Sequence, residues 1–352
     1  MLFFLGFFAV TIVSYAINMY SPMLYIWGAR NIFRFYIFFF ACVHYMDCGA
    51  CLEIFGILKK IFWVNFVLIC IQKWVLHYIG DGCSGLYSLG NRSGGNGSIN
   101  ILICLVVAYV MSEYMTKKIS LQNLLMYIVA TVAIAAFIEL KFYFIELAIL
   151  FAIFALAQHL SIKTFVIVIG AVGVLMVGTN ILEKMYPSFA GIFTVDAVVQ
   201  NSLIYGTQDS IGRLSGMGTV LQNYLLTIPQ KLFGIGLGNA DYSLNISILT
   251  SEFYRQHGAN GYTFFSSAWM LLELGIVGMF FYLAPIFYAL FLSWKFRIDR
   301  TQTAYLTLFI SAITILQFFY NQMLRVETSG YLMQFALALV YIYKNERIFR
   351  QL

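Results

Sequence analysis

The chain has 352 residues, of which 61% are hydrophobic and only 10% are charged, and its formal net charge is +6. A soluble domain carries about 25% charged residues, so this composition excludes an ordinary soluble protein and indicates an integral membrane protein. The basic residues are dispersed through apolar sequence, which disfavours nucleic acid as a partner and favours anionic lipids or anionic substrates.

Long apolar segments recur along the chain, each near the roughly 20 residues that a helix needs to cross a bilayer. About ten such spans are predicted, near residues 2–20, 31–47, 60–78, 98–114, 121–138, 140–158, 162–180, 275–294, 302–321 and 328–344. The runs are continuous and lack the alternation of membrane-spanning strands, so the predicted fold class is an all-α polytopic integral membrane protein. Residues 1–352 are predicted to form a single membrane domain.

The lysines and arginines that border the spans predict the orientation of the chain. With about ten spans, all these groups fall on the cytoplasmic side, and both termini are then cytoplasmic as well. The groups are Lys59-Lys60, Lys117-Lys118, Lys163, Lys295 with Arg297 and Arg300, and Lys344 with Arg347 and Arg350.

Residues 181–274 form one long, comparatively polar loop on the opposite, outer face. Loops longer than about 15 residues are usually functional or disordered, and this loop holds too many aromatic and aliphatic residues for disorder. It contains Gly212-Arg213, the run Gly234-Ile-Gly-Leu-Gly238, His257 and Asn260. We therefore expect the chemistry of the protein in this loop.

An unusual share of the cations falls on the predicted outer face: Arg30, Arg34, Arg92, Lys141, Lys184, Arg213, Lys231, Arg255 and Arg325. Arginine is suited to phosphate groups because its planar fork donates two hydrogen bonds and stays charged. As a set they predict an anion site, although each alone is also compatible with interfacial anchoring. Glu146 lies inside a predicted span, where a charge is costly; it is either functional or a member of a structural ion pair.

No cofactor and no metal are predicted. The sequence has no Walker A, D-x-D or H-E-x-x-H motif, and the glycine run at 234–238 lacks the third glycine of a dinucleotide fingerprint. Its glycines are expected to let the backbone turn sharply or approach a ligand closely. Cys48-Gly-Ala-Cys51 lacks the second pair that a zinc site needs. His257 is a candidate base, because imidazole accepts a proton near neutral pH.

Four short motifs follow one another in a fixed order, most clearly over about residues 205–295. They are Ser210-Ile-Gly-Arg-Leu214, Leu232-Phe-Gly-Ile-Gly-Leu-Gly-Asn239, His257-Gly-Ala-Asn-Gly-Tyr262 and Leu271-Leu-Glu-Leu-Gly-Ile-Val-Gly278. This order resembles the O-antigen ligase / Wzy-type polysaccharide polymerase superfamily. Ligases of that family commonly show His directly followed by Asn, whereas two residues separate His257 from Asn260 here, and this departure favours the polymerase.

The resemblance implies a GT-C-like fold with a large periplasmic loop between the seventh and eighth helices. It implies glycosyl transfer on the outer face of a bacterial inner membrane, with an undecaprenyl-pyrophosphate-linked oligosaccharide as donor and a second repeat unit as acceptor. A chain-length regulator is a further partner that the resemblance leaves open. The alternatives are an O-antigen ligase, which transfers the glycan to lipid A–core, and a flippase for lipid-linked oligosaccharide.

The resemblance also implies roles for individual residues. Arg213 would clamp the pyrophosphate, and His257 would deprotonate the acceptor hydroxyl or help bind the phosphate. Glu273 and Glu146 would be alternative carboxylates that act as the base or orient the reacting groups. The expected substrate-binding residues are Arg30, Arg34, Arg255, Arg325, Lys141, Glu146, Gly236, Gly238 and Asn260.

Overall fold

A computed structural model describes residues 2–88, 95–157, 170, 173, 211–212 and 215–349. Within these residues the secondary structure is helical, with no β-strand, which confirms the predicted helical class. The longer helices are α1 (Leu2–Asn18), α2 (Pro22–Tyr45), α3 (Cys48–Trp74), α4 (Asn96–Met115), α5 (Leu121–Phe137) and α6 (Lys141–Ala157) in the first half of the chain.

The second half begins with three short helices, α7 (Gly216–Thr219), α8 (Ile228–Phe233) and α9 (Glu252–His257). Three long ones follow, α10 (Ser266–Phe296), α11 (Gln302–Tyr320) and α12 (Glu327–Phe349). Single helical turns lie between them, among them Val220–Tyr224, Ser247–Leu249, Gly258–Asn260, Tyr262–Phe264 and Arg297–Asp299.

Five helices of the described residues are long and apolar enough to cross a membrane, which gives the chain the architecture of a helical membrane protein. They are α2, α3, α4, α10 and α11, and α1 and α5 are shorter apolar helices. Each predicted span overlaps a helix, with different bounds in several cases, except 162–180, which lies almost wholly outside the described residues.

Several helices begin earlier than the apolar pattern alone predicts, because capping residues set their ends. Helix α2 starts at Pro22, a residue preorganised for the first helical position. Helix α3 starts at Cys48, where the Asp47 side chain accepts a hydrogen bond from the backbone N–H of Ala50 at 2.7 Å. As a result Arg30 lies within α2 instead of in the loop before it.

The chain forms two compact units. The first consists of the described residues of Met1–Phe39, Thr194–Tyr288 and Ile315–Tyr331, and the second of those of Phe40–Phe193, Ala289–Thr314 and Leu332–Leu352. The second unit is organised around α4, which is buried along almost its whole length. The first unit contains the described part of the polar loop, from residue 211 to the start of α10.

Candidate functional site

The centre of the first unit is a break in α10. Gly275 has φ 64° and ψ −167°, so the helix stops and restarts at this residue. The glycine run supplies hydrogen bonds at the break: Ile235 N donates to the Leu272 carbonyl at 2.9 Å and Gly236 N to the Glu273 carbonyl at 3.0 Å. Irregular backbone inside a membrane protein persists where protein groups satisfy it, and the glycine run does so here.

The glycines of the run permit contact between backbones. Gly238 has φ +83°, and a Cβ at this position would lie 2.0 Å from the Leu24 carbonyl oxygen of α2. On the facing helix, a Cβ at Gly28 would lie 2.4 Å from Gly238 N. At Gly236 a Cβ would lie 2.1 Å from the ring of Tyr20. The close approach expected at Gly236 and Gly238 is therefore made to the protein itself: Gly236 packs against Tyr20, and Gly238 packs against the backbone of α2.

Helix α1 and the segment after it also hold the glycine run in place through hydrogen bonds. Ser14 Oγ donates to the Phe233 carbonyl at 2.5 Å, and Tyr20 OH donates to the Leu237 carbonyl at 2.6 Å. Because these carbonyls have partners in α1 and its following turn, the run is fixed on both sides and holds the residues after it, Asn239 to Asp241, in a defined place.

A buried charged cluster lies beside the run and consists of Glu273, Arg325 and Asp241. Arg325 Nη1 donates to Glu273 Oε2 at 2.8 Å, and Arg325 Nη2 lies 3.6 Å from Asp241 Oδ2. The other Glu273 oxygen accepts from Gly238 N at 3.0 Å, and Asn31 Nδ2 donates to Asp241 Oδ2 at 2.8 Å. The cluster thus joins α2, the glycine run, α10 and the α11–α12 turn.

Arg325 and Glu273 are engaged within the protein. Their side chains are only 5% and 0% exposed, and the Arg325 guanidinium lies 3.7 Å from the centre of the Trp269 ring. Buried charges of this kind need ion-pair and hydrogen-bond partners: Arg325 Nη1 is hydrogen-bonded to Glu273, whereas Arg325 Nη2 has only the more distant Asp241 carboxylate and no hydrogen-bond partner among the described residues. Arg325 and Glu273, predicted from the sequence in substrate binding and catalysis, are thus buried and paired with each other in the structure.

The accessible cations of α2 form a second group, one helical turn apart on the same face. Arg34 Nη1 is in direct contact with Glu327 Oε1, and Arg30 Nη2 lies 3.8 Å from the same oxygen. Arg30 also lies 5.0 Å from the ring centre of Trp27, and its Nη1 donates to Asn31 Oδ1 at 3.0 Å. Asn31 therefore links this group to the buried cluster.

His257 and Asn260 both contact Tyr224. The ring centres of His257 and Tyr224 are 5.1 Å apart, and Asn260 Nδ2 donates to the Tyr224 hydroxyl at 2.6 Å. The Asn260 carbonyl accepts from Ile211 N at 2.8 Å, which fixes the chain close to the Gly212-Arg213 motif. Arg213 itself lies outside the described residues. Phe253 also packs on the His257 ring, with the ring centres 4.8 Å apart.

The remaining predicted site residues are Arg255, Lys141 and Glu146. Arg255 is exposed, and its Nη2 donates to the Ser247 carbonyl at 3.0 Å. Lys141 and Glu146 belong to α6 of the second unit. Glu146 is fully buried there and accepts from Asn100 Nδ2 at 2.8 Å and from Cys104 Sγ at 3.4 Å.

Sequence reasoning missed four residues of the site: Asp241, Asn31, Trp269 and Glu327. The sequence offered a signal for Asp241, because it is the first acidic residue after the glycine run and lies close to it. Asn31 and Glu327 lie next to residues that were predicted, Arg30 and Arg325. Their partners are distant in sequence, so only the fold identifies them.

Tyr262 fastens the segment after the glycine run, and its hydroxyl donates to the Ala240 carbonyl at 2.6 Å. Burial raises the pKa of Tyr262 well above its usual range, so the hydroxyl remains a protonated donor at any physiological pH.

Tyr262→Phe removes this donor and leaves a buried carbonyl without a partner. We expect the free energy of unfolding to fall by about 1–2 kcal/mol, measured by thermal unfolding of the detergent-solubilised protein. The matched control is Tyr45→Phe, at a mostly exposed tyrosine, which should unfold like the parent. Equal unfolding temperatures for both variants would contradict the assigned role.

No family model, no curated protein and no solved structure matches the chain. Within the described residues no group of three or more His, Cys, Asp or Glu side chains is arranged to hold a metal ion.

Proposed function

We propose that the protein polymerises undecaprenyl-pyrophosphate-linked oligosaccharide repeat units by glycosyl transfer. The observation that carries this proposal is the meeting of separate motifs in one unit. The glycine run lies against the break in the Leu271–Gly278 motif and also against the helix that bears Arg30 and Arg34. A set of weak motifs joined in this way is what a single binding site requires.

The reaction that we propose needs an anion site and a base. The acceptor hydroxyl oxygen forms a bond to the anomeric carbon of the donor, the bond from that carbon to the pyrophosphate oxygen breaks, and undecaprenyl pyrophosphate leaves. Arg213, supported by Arg30 and Arg34, stabilises the negative charge that develops on the leaving group. His257 takes the proton of the hydroxyl.

The other residues hold the reacting groups in position. Asn260 and Tyr224 hold the segment that carries His257, while Arg325 and Glu273 hold the glycine run. The apolar helices provide a surface for the polyprenyl tail. In this proposal the polar loop faces the periplasm, both termini are cytoplasmic, and the protein lies in a bacterial inner membrane.

Two variants test the proposed roles in cells. His257→Ala and Arg213→Ala should each lower the yield of polymer by roughly 100-fold, the lower range for the loss of a general base or of one stabilising donor. The measurement is the length distribution of the glycan on a gel. Gln256→Ala is the matched control, because Gln256 is exposed and adjacent to His257. Normal polymer from both variants would refute the assignment of these two residues.

Gene deletion separates a polymerase from a ligase. Loss of a polymerase leaves single repeat units attached to their final acceptor, because ligation continues without elongation. Loss of a ligase leaves no repeat units there at all. We expect single repeat units, and their absence would overturn the polymerase in favour of the ligase.

A further inference from the structure

Arg30 and Arg34 converge on a single carboxylate oxygen. Glu327 Oε1 is in direct contact with Arg34 Nη1 and lies 3.8 Å from Arg30 Nη2. The Glu327 side chain is 61% exposed, whereas that of Arg34 is 17% exposed. Arg34 is thus partly recessed, whereas the Arg30 side chain is 54% exposed, and the Glu327 carboxylate bridges the two arginines.

The two guanidinium groups are held in place by neighbours other than Glu327. Arg30 lies over Trp27 and donates to Asn31, and the guanidinium carbon of Arg34 lies 4.8 Å from the ring centre of Phe35. Preorganised cations bind an anion with a smaller loss of side-chain freedom. The pair would therefore persist if the Glu327 carboxylate moved away.

Arg34 also has a donor that Glu327 leaves unused. Its Nε is buried and has no hydrogen-bond partner among the described residues. A carboxylate with one oxygen on Nη1 satisfies part of the guanidinium fork, whereas a phosphate group brings three oxygens and binds arginine through two parallel bonds. The unused donor points to a ligand with more acceptor oxygens than Glu327 presents.

We propose that Glu327 is an internal substitute for a phosphate group, and that a phosphate or pyrophosphate displaces it from Arg30 and Arg34. Exposed ion pairs add little net stability, so displacement of Glu327 costs little. The buried pair of Arg325 and Glu273 is not exchangeable in this way. The identification of the bound group as the donor's pyrophosphate rests on the proposed function, whereas the anion site itself does not.

Binding of inorganic pyrophosphate to the purified full-length protein in detergent tests the site, with isothermal titration calorimetry as the measurement. Glu327→Gln should bind pyrophosphate roughly five- to ten-fold more tightly, because the competing charge is gone and the side-chain size is kept. Arg34→Ala should bind it at least about ten-fold more weakly. Arg34→Lys keeps the charge but loses the fork, so its affinity should lie between those of Arg34→Ala and the parent.

Glu252→Gln is the matched control, because Glu252 is an exposed carboxylate 4.0 Å from a different arginine, Arg255. It should bind pyrophosphate like the parent. Unfolding temperatures of all variants show whether each has folded. Parental affinity in a folded Glu327→Gln variant overturns the proposal.

Vesicles distinguish a lipid-borne phosphate from a free one. The protein is reconstituted in phosphatidylcholine with or without phosphatidic acid, and pyrophosphate binding is measured again. Weaker binding with phosphatidic acid, by a factor that grows in Glu327→Gln, assigns the site to a phosphate carried by lipid. Binding that phosphatidic acid leaves unchanged assigns it to a free phosphate compound, and both results uphold the site.

The cellular assay separates this inference from the proposed function. Tighter pyrophosphate binding by Glu327→Gln, combined with normal polymer after gene deletion, would support the anion site and refute the polymerase function. Loss of polymer after deletion, combined with parental affinity in Glu327→Gln, keeps the polymerase and removes Glu327 from the site.

Discussion

Arg325→Ala is expected to lower the free energy of unfolding by about 3–5 kcal/mol. The substitution leaves the carboxylates of Glu273 and Asp241 buried without their cation, and it removes the group that packs on Trp269. Thermal unfolding in detergent measures the loss. Because the cluster also holds Gly238, we expect polymer synthesis in cells to fail together with stability.

Two comparisons isolate the charge effect. Arg255→Ala removes an exposed arginine that also pairs with a glutamate, and it should change stability by less than about 0.5 kcal/mol. The triple variant Arg325→Met, Glu273→Gln and Asp241→Asn removes the guanidinium cation together with both carboxylate charges. It should recover much of the stability, because uncharged replacements of a buried ion cluster are often tolerated. A triple variant as unstable as Arg325→Ala would contradict this explanation.

Gly238→Ala is expected to destabilise the protein by at least about 2 kcal/mol, since a left-handed backbone angle costs an L-residue about 1–2 kcal/mol before any clash. The clash is severe, because the new Cβ would lie 2.0 Å from a carbonyl oxygen of α2. The added methyl must push α2 away from the glycine run, and Asn31 then loses Asp241. Unfolding temperature and polymer yield should both fall.

Gly28→Ala separates the clash from the backbone angle. Gly28 lies within α2, where alanine is favoured over glycine, so any loss of stability reports the contact with the backbone of Leu237 and Gly238. Gly218→Ala is the neutral control, because no heavy atom of the described residues lies within 4 Å of its Cβ position. If Gly28→Ala were as stable as Gly218→Ala, the backbone contact would not matter for folding.

The sequence predicted the helical architecture because apolar runs of about 20 residues mark the part of each helix that crosses hydrocarbon. It did not predict where helices begin, since those points depend on caps. Helix α3 illustrates the difference: apolar residues predict a span from residue 60, whereas Asp47 starts the helix at Cys48.

The candidate site was predicted in part, for a similar physical reason. The glycine run and Glu273 stand out locally, so motif order identified them. Their partners do not, because 52 residues separate Glu273 from Arg325 and the pairing follows from the fold alone. The pair of Arg30 and Arg34 was predicted by charge, but Glu327, which bridges the two arginines, carried no distinctive signal.

The separation between Glu273 and Arg325 also bears on how the protein is made. During synthesis α10, which carries Glu273, leaves the ribosome before Arg325, the residue that pairs with Glu273, has been added to the chain. Until the α11–α12 turn follows, Glu273 must remain hydrated, protonated or held by a chaperone, because an unpaired charge is costly in hydrocarbon. We expect the region around the break at Gly275 to be the last part of the first unit to fold. Chains truncated before Arg325 should be degraded, because Glu273 then has no cation to pair with.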